Sequence, residues 1–348
     1  MPEQGDFADL VNVSNLRTWL APRLGFDAGD LTVRRVAAGH SNEMFELHAG
    51  GNRWMLRRPP RVVIESTASN MAREFRLLRA LDRTTVPHAK PQVLCEDLDV
   101  IGAPFHVTDW IDGSNGQFAT EEWYEHSEAT RRDLAHEMVD TLAHIALLDW
   151  RAIGLEGFGK PEGFLDRQVD RWLSQLSRYR TRPIAQLDDV AEWLAGHRPS
   201  EASTGLIHGD YTPANLMFDH GTARIAAVID WEVATIGDPM LDLGWFLSTW
   251  EQAGDDTTGR LPGLRPSELG GMPIRRQLAE RYLGRTGRSI HDVNYFQVLA
   301  LFKLSCILEG SYYRYVNGLS SDPVHRSFGD RVPAFIARAA AIIDHRWE

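Results

Sequence analysis

Hydrophobic positions change their period several times along this chain. Leu10, Val13, Leu16, Leu20 and Leu24 recur at helical spacing and predict a short amphipathic helix, with Gly25 as its stop. From Leu31 to about Pro60 the pattern shortens into β-rich runs, LTVRRVAAG, EMFELHAG and RWMLRRPP. Gly50-Gly51-Asn52 between the second and third runs signals a hairpin, so three antiparallel strands are expected. Alternation in the third run puts Trp54, Leu56 and Arg58 on one face, and Met55 and Arg57 on the other. In TASNMAREFRLLRALDR, Met71, Phe75, Leu78 and Leu81 share a helical face, and Ser66, Thr67 and Ser69 are candidate caps. VLCEDLDV and APFHVTDWI predict two further strands, the second running into a connector, Gly113-Ser114-Asn115-Gly116.

Beyond the connector the period is helical. Helices are expected from about Glu121 to Trp150, Gly163 to Arg180, Gln277 to Leu283, Val293 to Val316 and Val332 to Trp347. Between them lies TGLIHGDYTPANLMFDHGTARIAAVIDWEVATIGDPMLDLGWF, with short β-like runs, tight turns and many aspartates. Gly254 to Ser267 reads as a Gly/Pro/Asp-rich surface loop. The expected architecture is α+β: a small lobe with an antiparallel sheet, residues 1–110, then a larger helical lobe, residues 111–348.

The bulk numbers narrow the setting. The chain has 348 residues, enough for two lobes, and 43% hydrophobic with 24% charged residues is ordinary for a globular protein. A net charge of −11 disfavours nucleic acid and anionic membrane as partners, and serves solubility before it serves any substrate. The two cysteines, Cys95 and Cys306, have neither metal spacing nor a disulfide framework. No apolar run approaches the roughly 20 residues that cross a bilayer, and MPEQGDFADL has no signal-peptide core. A cytoplasmic protein is expected. Oligomeric state leaves no mark in the sequence.

The chemistry concentrates between His208 and Asp230. Asp210 and Asn215 lie five residues apart in HGDYTPAN, between apolar runs. A carboxylate followed at that spacing by an amide is the pattern of the protein-kinase catalytic loop: one group to accept a hydroxyl proton, one oxygen for Mg²⁺. The same residues also favour an ordinary turn. Asp230 shifts the balance, because it closes the apolar run IAAVID, where a strand end would present a carboxylate at a fixed place. Asn215 and Asp230 together suit Mg²⁺, which takes few carboxylates plus phosphate oxygens.

The segment HGDYTPANLMF…VIDWEVATIGDPMLDLGW resembles the aminoglycoside phosphotransferase and choline kinase superfamily. LRRPP, REFRLLRAL and IDWE resemble in particular the kinase-like domain of some acyl-CoA dehydrogenase-like proteins. The resemblance covers about residues 30 to 345. It implies a two-lobed protein-kinase-like fold and ATP-dependent transfer of a phosphoryl group to a small hydroxylated molecule. Asp210 then resembles the catalytic base, and Asn215 and Asp230 the Mg²⁺ ligands. Gly39, Ser41 and Asn42 resemble the loop over the ATP phosphates. Arg57 resembles the replacement for the strand lysine that holds phosphates, with Glu74 as its partner. Asp109, Trp110 and Ile111 resemble the hinge whose backbone receives adenine. Asp238 and Asp242 are expected to cap a helix and brace the catalytic loop, and His208 to brace rather than titrate. Tyr312, Tyr313 and Tyr315 suit either packing or a pocket wall. The alternative is a nucleotide-binding pseudokinase without transfer activity.

Overall fold

The computed structural model describes residues 7–36, 42–60, 71–116, 126–200, 203–220, 222–255, 258 and 265–344. It divides into two compact units. The first comprises Met1–Gly113, Arg151–Leu155 and Ala226–Val233, and the second comprises Ser114–Trp150, Glu156–Ile225 and Ala234–Glu348.

The first unit opens with helix α1, Val13–Leu24. The Asn12 side chain caps its start, and Gly25 closes it at φ 73°. Strands β1 (Thr32–Val36), β2 (Glu43–Ala49) and β3 (Asn52–Arg58) follow as an antiparallel meander. Ala49 pairs with Asn52 across a two-residue turn in which Gly50 and Gly51 sit at φ 57° and 79°. Both turn positions need positive φ, which is why glycines stand there. Helix α2 is Met71–Leu81, and its buried face is Met71, Glu74, Leu77, Leu78 and Leu81, with Phe75 at its edge. Its candidate caps, Ser66, Thr67 and Ser69, lie outside the described residues.

The expected strand VLCEDLDV is shorter than its pattern. Strand β4 is Pro91–Cys95, and Asp97 then caps one helical turn, α3, Leu98–Ile101. A side-chain oxygen two residues from an N–H competes locally with sheet pairing and wins here. Strand β5, Phe105–Asp109, completes a five-stranded sheet of order β1-β2-β3-β5-β4. Its core gathers Leu16, Leu20, Phe45, Leu47, Leu56, Phe105 and Val107, all buried.

In the second unit, β6 (Ser114–Asn115) and β8 (Leu216–Phe218) pair antiparallel, as do β7 (Gly205–Ile207) and β10 (Thr235–Gly237). Strand β9, Ile225–Val228, carries the chain from the second unit into the first. The helices are α4 (Glu128–Ala146), α5 (Gln168–Leu176), α6 (Leu187–Gly196), α7 (Met240–Thr249), α8 (Arg275–Thr286), α9 (Val293–Val316) and α10 (Pro323–Asp344). The last begins nine residues before its expected start, with Pro323 at a first-turn position that tolerates a missing N–H. Among the described residues no helix is long and apolar enough to cross a membrane.

Helix α9 is the axis of this unit, packed on α10 and α7. The α7 contact is set by Gly244, where a Cβ would collide with the backbone carbonyl of Phe296. Alanine in an exposed helix gains about 0.5–1 kcal/mol over glycine. At position 244 the sign should reverse, because neither backbone can yield. Gly244→Ala should lower the unfolding free energy by about 1–3 kcal/mol in a denaturant titration. A stabilised variant would refute the close approach.

Candidate functional site

Two clusters hold the chemistry-bearing residues, one in each unit. In the second unit, the loop from His208 to Asn215 spans the short gap between β7 and β8, so paired strands fix both of its ends. Tyr211 pins the middle: its ring is fully buried and its hydroxyl donates to the Met138 carbonyl of α4 at 2.7 Å. Asn115 adds a bond from Nδ2 to the Ala214 carbonyl at 2.6 Å.

The loop's first turn is held by Asp242 of α7. Its carboxylate accepts the backbone N–H of His208 at 2.6 Å and of Gly209 at 2.8 Å. Burial pushes this carboxyl up to about 6 from an ordinary 3.8. The two N–H donors and the Lys303 charge pull the other way, and Asp210 adds to the rise. Asp238 accepts from the Met240 N–H at 3.0 Å, at the start of α7, and meets both Arg288 nitrogens at 3.2 Å. Asp242 makes the expected bracing contacts, whereas Asp238 stands one residue before the N-cap, Pro239, and reaches the first helical N–H from there. His208 is fully buried and its Nδ1 accepts the Asp210 backbone N–H at 3.3 Å.

This bracing presents Asp210. Its Oδ1 accepts the Trp245 indole N–H at 2.9 Å, and its Oδ2 accepts Asn215 Nδ2 at 2.9 Å. A carboxylate oxygen with one N–H donor can still accept a substrate hydroxyl. Asn215 also donates Nδ2 to the Asp210 carbonyl at 2.8 Å. Lys303 of α9 donates to the Gly209 carbonyl at 2.6 Å. Sequence reasoning does not reach Lys303 or Trp245. The available signal is a single lysine inside the apolar helical run ALFKLSCIL.

In the first unit, Arg57 of β3 is the centre. Its guanidinium meets Glu74 at 3.0 Å, Asp230 at 2.6 Å and Glu232 at 2.8 Å. Glu74 comes from the first turn of α2, and the two others from the segment after β9. Asp230 stands at φ 64°, a left-handed position that aspartate tolerates better than branched residues. Burial alone would lower the Arg57 pKa, but the three carboxylate charges outweigh it and raise it. Burial raises the pKa of Glu74, Arg57 offsets part of this and Asp230 adds to it. Burial is the first cause at both groups; the pairing outweighs it at Arg57 and only offsets part of it at Glu74. The three carboxylates are gathered on Arg57, and among the described residues no group of three or more acidic, histidine or cysteine side chains is arranged to hold a metal ion. Asn42 joins the Arg57 cluster by donating Nδ2 to Glu232 at 2.5 Å. His106, paired with Arg57 across the sheet, is pushed down to about 3 by burial first and the guanidinium second, and stays neutral.

Arg58 goes to the opposite face, as alternation requires. It is buried and donates to the carbonyls of Pro59 and Leu10. Glu232 has no role in the sequence reading although it stands in IDWE. Its contact to Arg57 spans 175 positions, which no local pattern reveals. Gly39 and Ser41 lie outside the described residues. Asp109 ends β5 and accepts Gln92 Nε2 at 2.7 Å, and the Trp110 N–H donates to the Arg53 carbonyl at 3.2 Å. Ile111 follows, half-buried. Tyr312 and Tyr315 line a cavity of about 480 Å³ with Arg182 and Arg326.

Comparison with known proteins bears on these clusters. The model of the phosphotransferase enzyme family matches residues 32–261. This chain belongs to that family. Acyl-CoA dehydrogenase family member 11 of Gallus gallus is 31% identical over 314 residues, which is 88% of this chain and 39% of that protein. The chain thus spans about two fifths of the length of that relative. A crystal structure from Ralstonia eutropha JMP134, named only provisionally as an aminoglycoside phosphotransferase, is 31% identical, with a TM-score of 0.81 over 95% of this chain and 98% of its own. A thermostable mutant of aminoglycoside phosphotransferase APH(4)-Ia, solved in ternary complex with AMP-PNP and hygromycin B, shares the fold at a TM-score of 0.59 and 16% identity, over 94% and 99% of the two chains. The family's fold is the protein-kinase-like α+β fold, with an N-terminal antiparallel sheet and a helical C-terminal part.

The Asp242 contacts generate a pH prediction. A carboxyl raised to about 6 in the folded state binds protons that the unfolded chain has already released. Its contribution to stability is present below about pH 4 and is lost as the pH rises to about 6. Unfolding free energies of wild type and Asp242→Asn, compared across that window, should diverge by on the order of 2–3 kcal/mol, with wild type falling more steeply. Parallel curves would show that Asp242 titrates normally.

Proposed function

We propose that this chain is an ATP-dependent O-phosphotransferase that moves the γ-phosphoryl group of ATP to a hydroxyl of a small molecule. The observation that carries the reading is the Asp210 carboxylate, held on each oxygen by a neutral N–H donor, from Trp245 and Asn215. That geometry suits a base that orients an acceptor hydroxyl. As the acceptor oxygen bonds to the γ-phosphorus, its proton passes to Asp210. The bond from the γ-phosphorus to the bridging oxygen breaks, and ADP leaves with that electron pair. The transition state is loose, so positioning and charge neutralisation dominate.

In this reading residues 1–110 serve the nucleotide and residues 111–348 carry the transfer loop and the acceptor. Arg57 and the Gly39, Ser41 and Asn42 loop bind the triphosphate, Glu74 orients Arg57, and the backbone of Asp109, Trp110 and Ile111 receives adenine. Asn215 and Asp230 would be the Mg²⁺ ligands, as the resemblance of their motifs to the family implies. When bound, the ion neutralises charge on the phosphates. For the acceptor we favour a hydroxylated acyl metabolite over an aminoglycoside, on the likeness to a relative named for acyl-CoA dehydrogenases. The setting is a reducing cytoplasm, consistent with Cys95 and Cys306 as buried free thiols.

Purified protein with ATP and Mg²⁺, assayed against hydroxyacyl compounds, aminoglycosides and amino alcohols, tests the reading. Asp210→Ala should lower transfer by about 10²–10⁴-fold and leave ATP affinity by calorimetry nearly unchanged. Transfer at the wild-type rate would overturn the assignment. Asp230→Ala should remove the Mg²⁺ dependence of ATP binding; an unchanged dependence counts against its metal role.

A further inference from the structure

Lys303 stands among apolar neighbours near the middle of α9. It is one of three lysines in a chain with 37 lysines and arginines. This protein meets almost every need for a cation with arginine. A compact ammonium at a largely enclosed position therefore calls for a reason of its own. Its surroundings supply one. Nζ donates to the Gly209 carbonyl at 2.6 Å, and it stands 4.3 Å from the centroid of the Trp245 ring. The same indole donates its N–H to Asp210 Oδ1 at 2.9 Å.

We infer that Lys303 is a positioning residue for phosphoryl transfer, fixing Asp210 through the Gly209 carbonyl and through the indole of Trp245. The first route is mechanical. The peptide entering Asp210 is held at the Gly209 carbonyl by Lys303 and at the Asp210 N–H by His208 Nδ1, and the peptide before it by Asp242, so it has little freedom to rotate. The second route is electrostatic. A cation over an aromatic face draws electron density from the ring. The indole N–H lies in the ring plane and becomes a stronger donor to the carboxylate, as bonds in a chain polarise one another. The ammonium also sits among the charges of Asp210 and Asp242, with Arg171 opposing, and balances the two carboxylates through space. A guanidinium bound to Asp210 would hold it too, but would compete with the substrate hydroxyl for the same lone pairs. Acting through an indole keeps the cation itself off the carboxylate oxygens.

The inference rests on the phosphotransferase reading only in taking Asp210 as the proton acceptor. Lys303→Met, Trp245→Phe and the double variant should be compared by steady-state kinetics. Separately, ¹⁵N-indole spectra should be recorded, with the Trp245 resonance assigned by its loss in Trp245→Phe. Lys303→Met should lower kcat on the order of a hundredfold, the scale of a mispositioned catalytic group, and change KM for ATP by less than about threefold. The double variant should be little worse than Trp245→Phe alone, because both act on one hydrogen bond. The Trp245 N–H resonance should move upfield when Lys303 is replaced. A kcat within about threefold of wild type, losses that multiply in the double variant, or an unmoved indole resonance would each overturn the inference. If Lys303→Met does not fold, Lys303→Gln, which keeps a donor and removes the charge, decides by the same criteria. If wild type transfers phosphate to no acceptor, the functional reading falls, and the indole resonance alone decides the relay.

Discussion

The second unit depends on one buried carboxylate accepting two consecutive backbone N–H groups. Asp242 reaches from α7 to His208 and Gly209, and it is 1% exposed. A loop rich in polar backbone has no regular partner for its N–H groups, and leaving a buried one unpaired costs about 1–3 kcal/mol. Asp242 removes two such costs at once and joins the loop to a helix that is itself locked to α9 at Gly244. The position of Asp210 is thus inherited from helix packing through a short chain of contacts. Tyr211, seated on α4, adds a second anchor one residue beyond Asp210.

The first unit solves a different problem, that of keeping charges together where water is scarce. Glu74 is 4% exposed and Arg57 only 11%, so neither could remain ionised alone without a large desolvation cost. One guanidinium serves Glu74 through Nη1 and Asp230 and Glu232 through Nη2, while its Nε and Glu74 Oε2 are buried without a hydrogen-bond partner. Arginine is suited to this because its planar fork presents donors in several directions, which an ammonium on the same strand could not match.

Much of this is legible in the sequence wherever the cause is local. The β2–β3 hairpin follows from Gly50 and Gly51, α1 from its leucine spacing between Asn12 and Gly25, and the Asp210–Asn215 pairing from a spacing of five. The fold class follows from strand-like runs preceding helical ones. What escapes has non-local causes. Ala226–Val233 belongs to the first unit although it lies more than a hundred residues beyond the connector, and Glu232 meets Arg57 only for that reason. Lys303 reaches the Gly209 carbonyl across 94 positions. Leu98–Ile101 escapes for another reason: alternation is a weak signal over four residues, and one Asp97 side chain is enough to turn the chain into a helix.

The two clusters treat their carboxylates in opposite ways. A guanidinium brings a formal charge to a carboxylate, whereas neutral N–H donors fix its geometry without one. Asp230 and Glu74 are bound directly by Arg57, an arrangement for holding charge. Asp210 meets an indole N–H and an amide N–H, and the Lys303 cation acts from behind the indole ring. As the proposed base, Asp210 would have to be oriented without being neutralised to take a proton from a weakly acidic hydroxyl. In the proposed reading, the cation one ring away meets both demands, with Trp245 between it and Asp210.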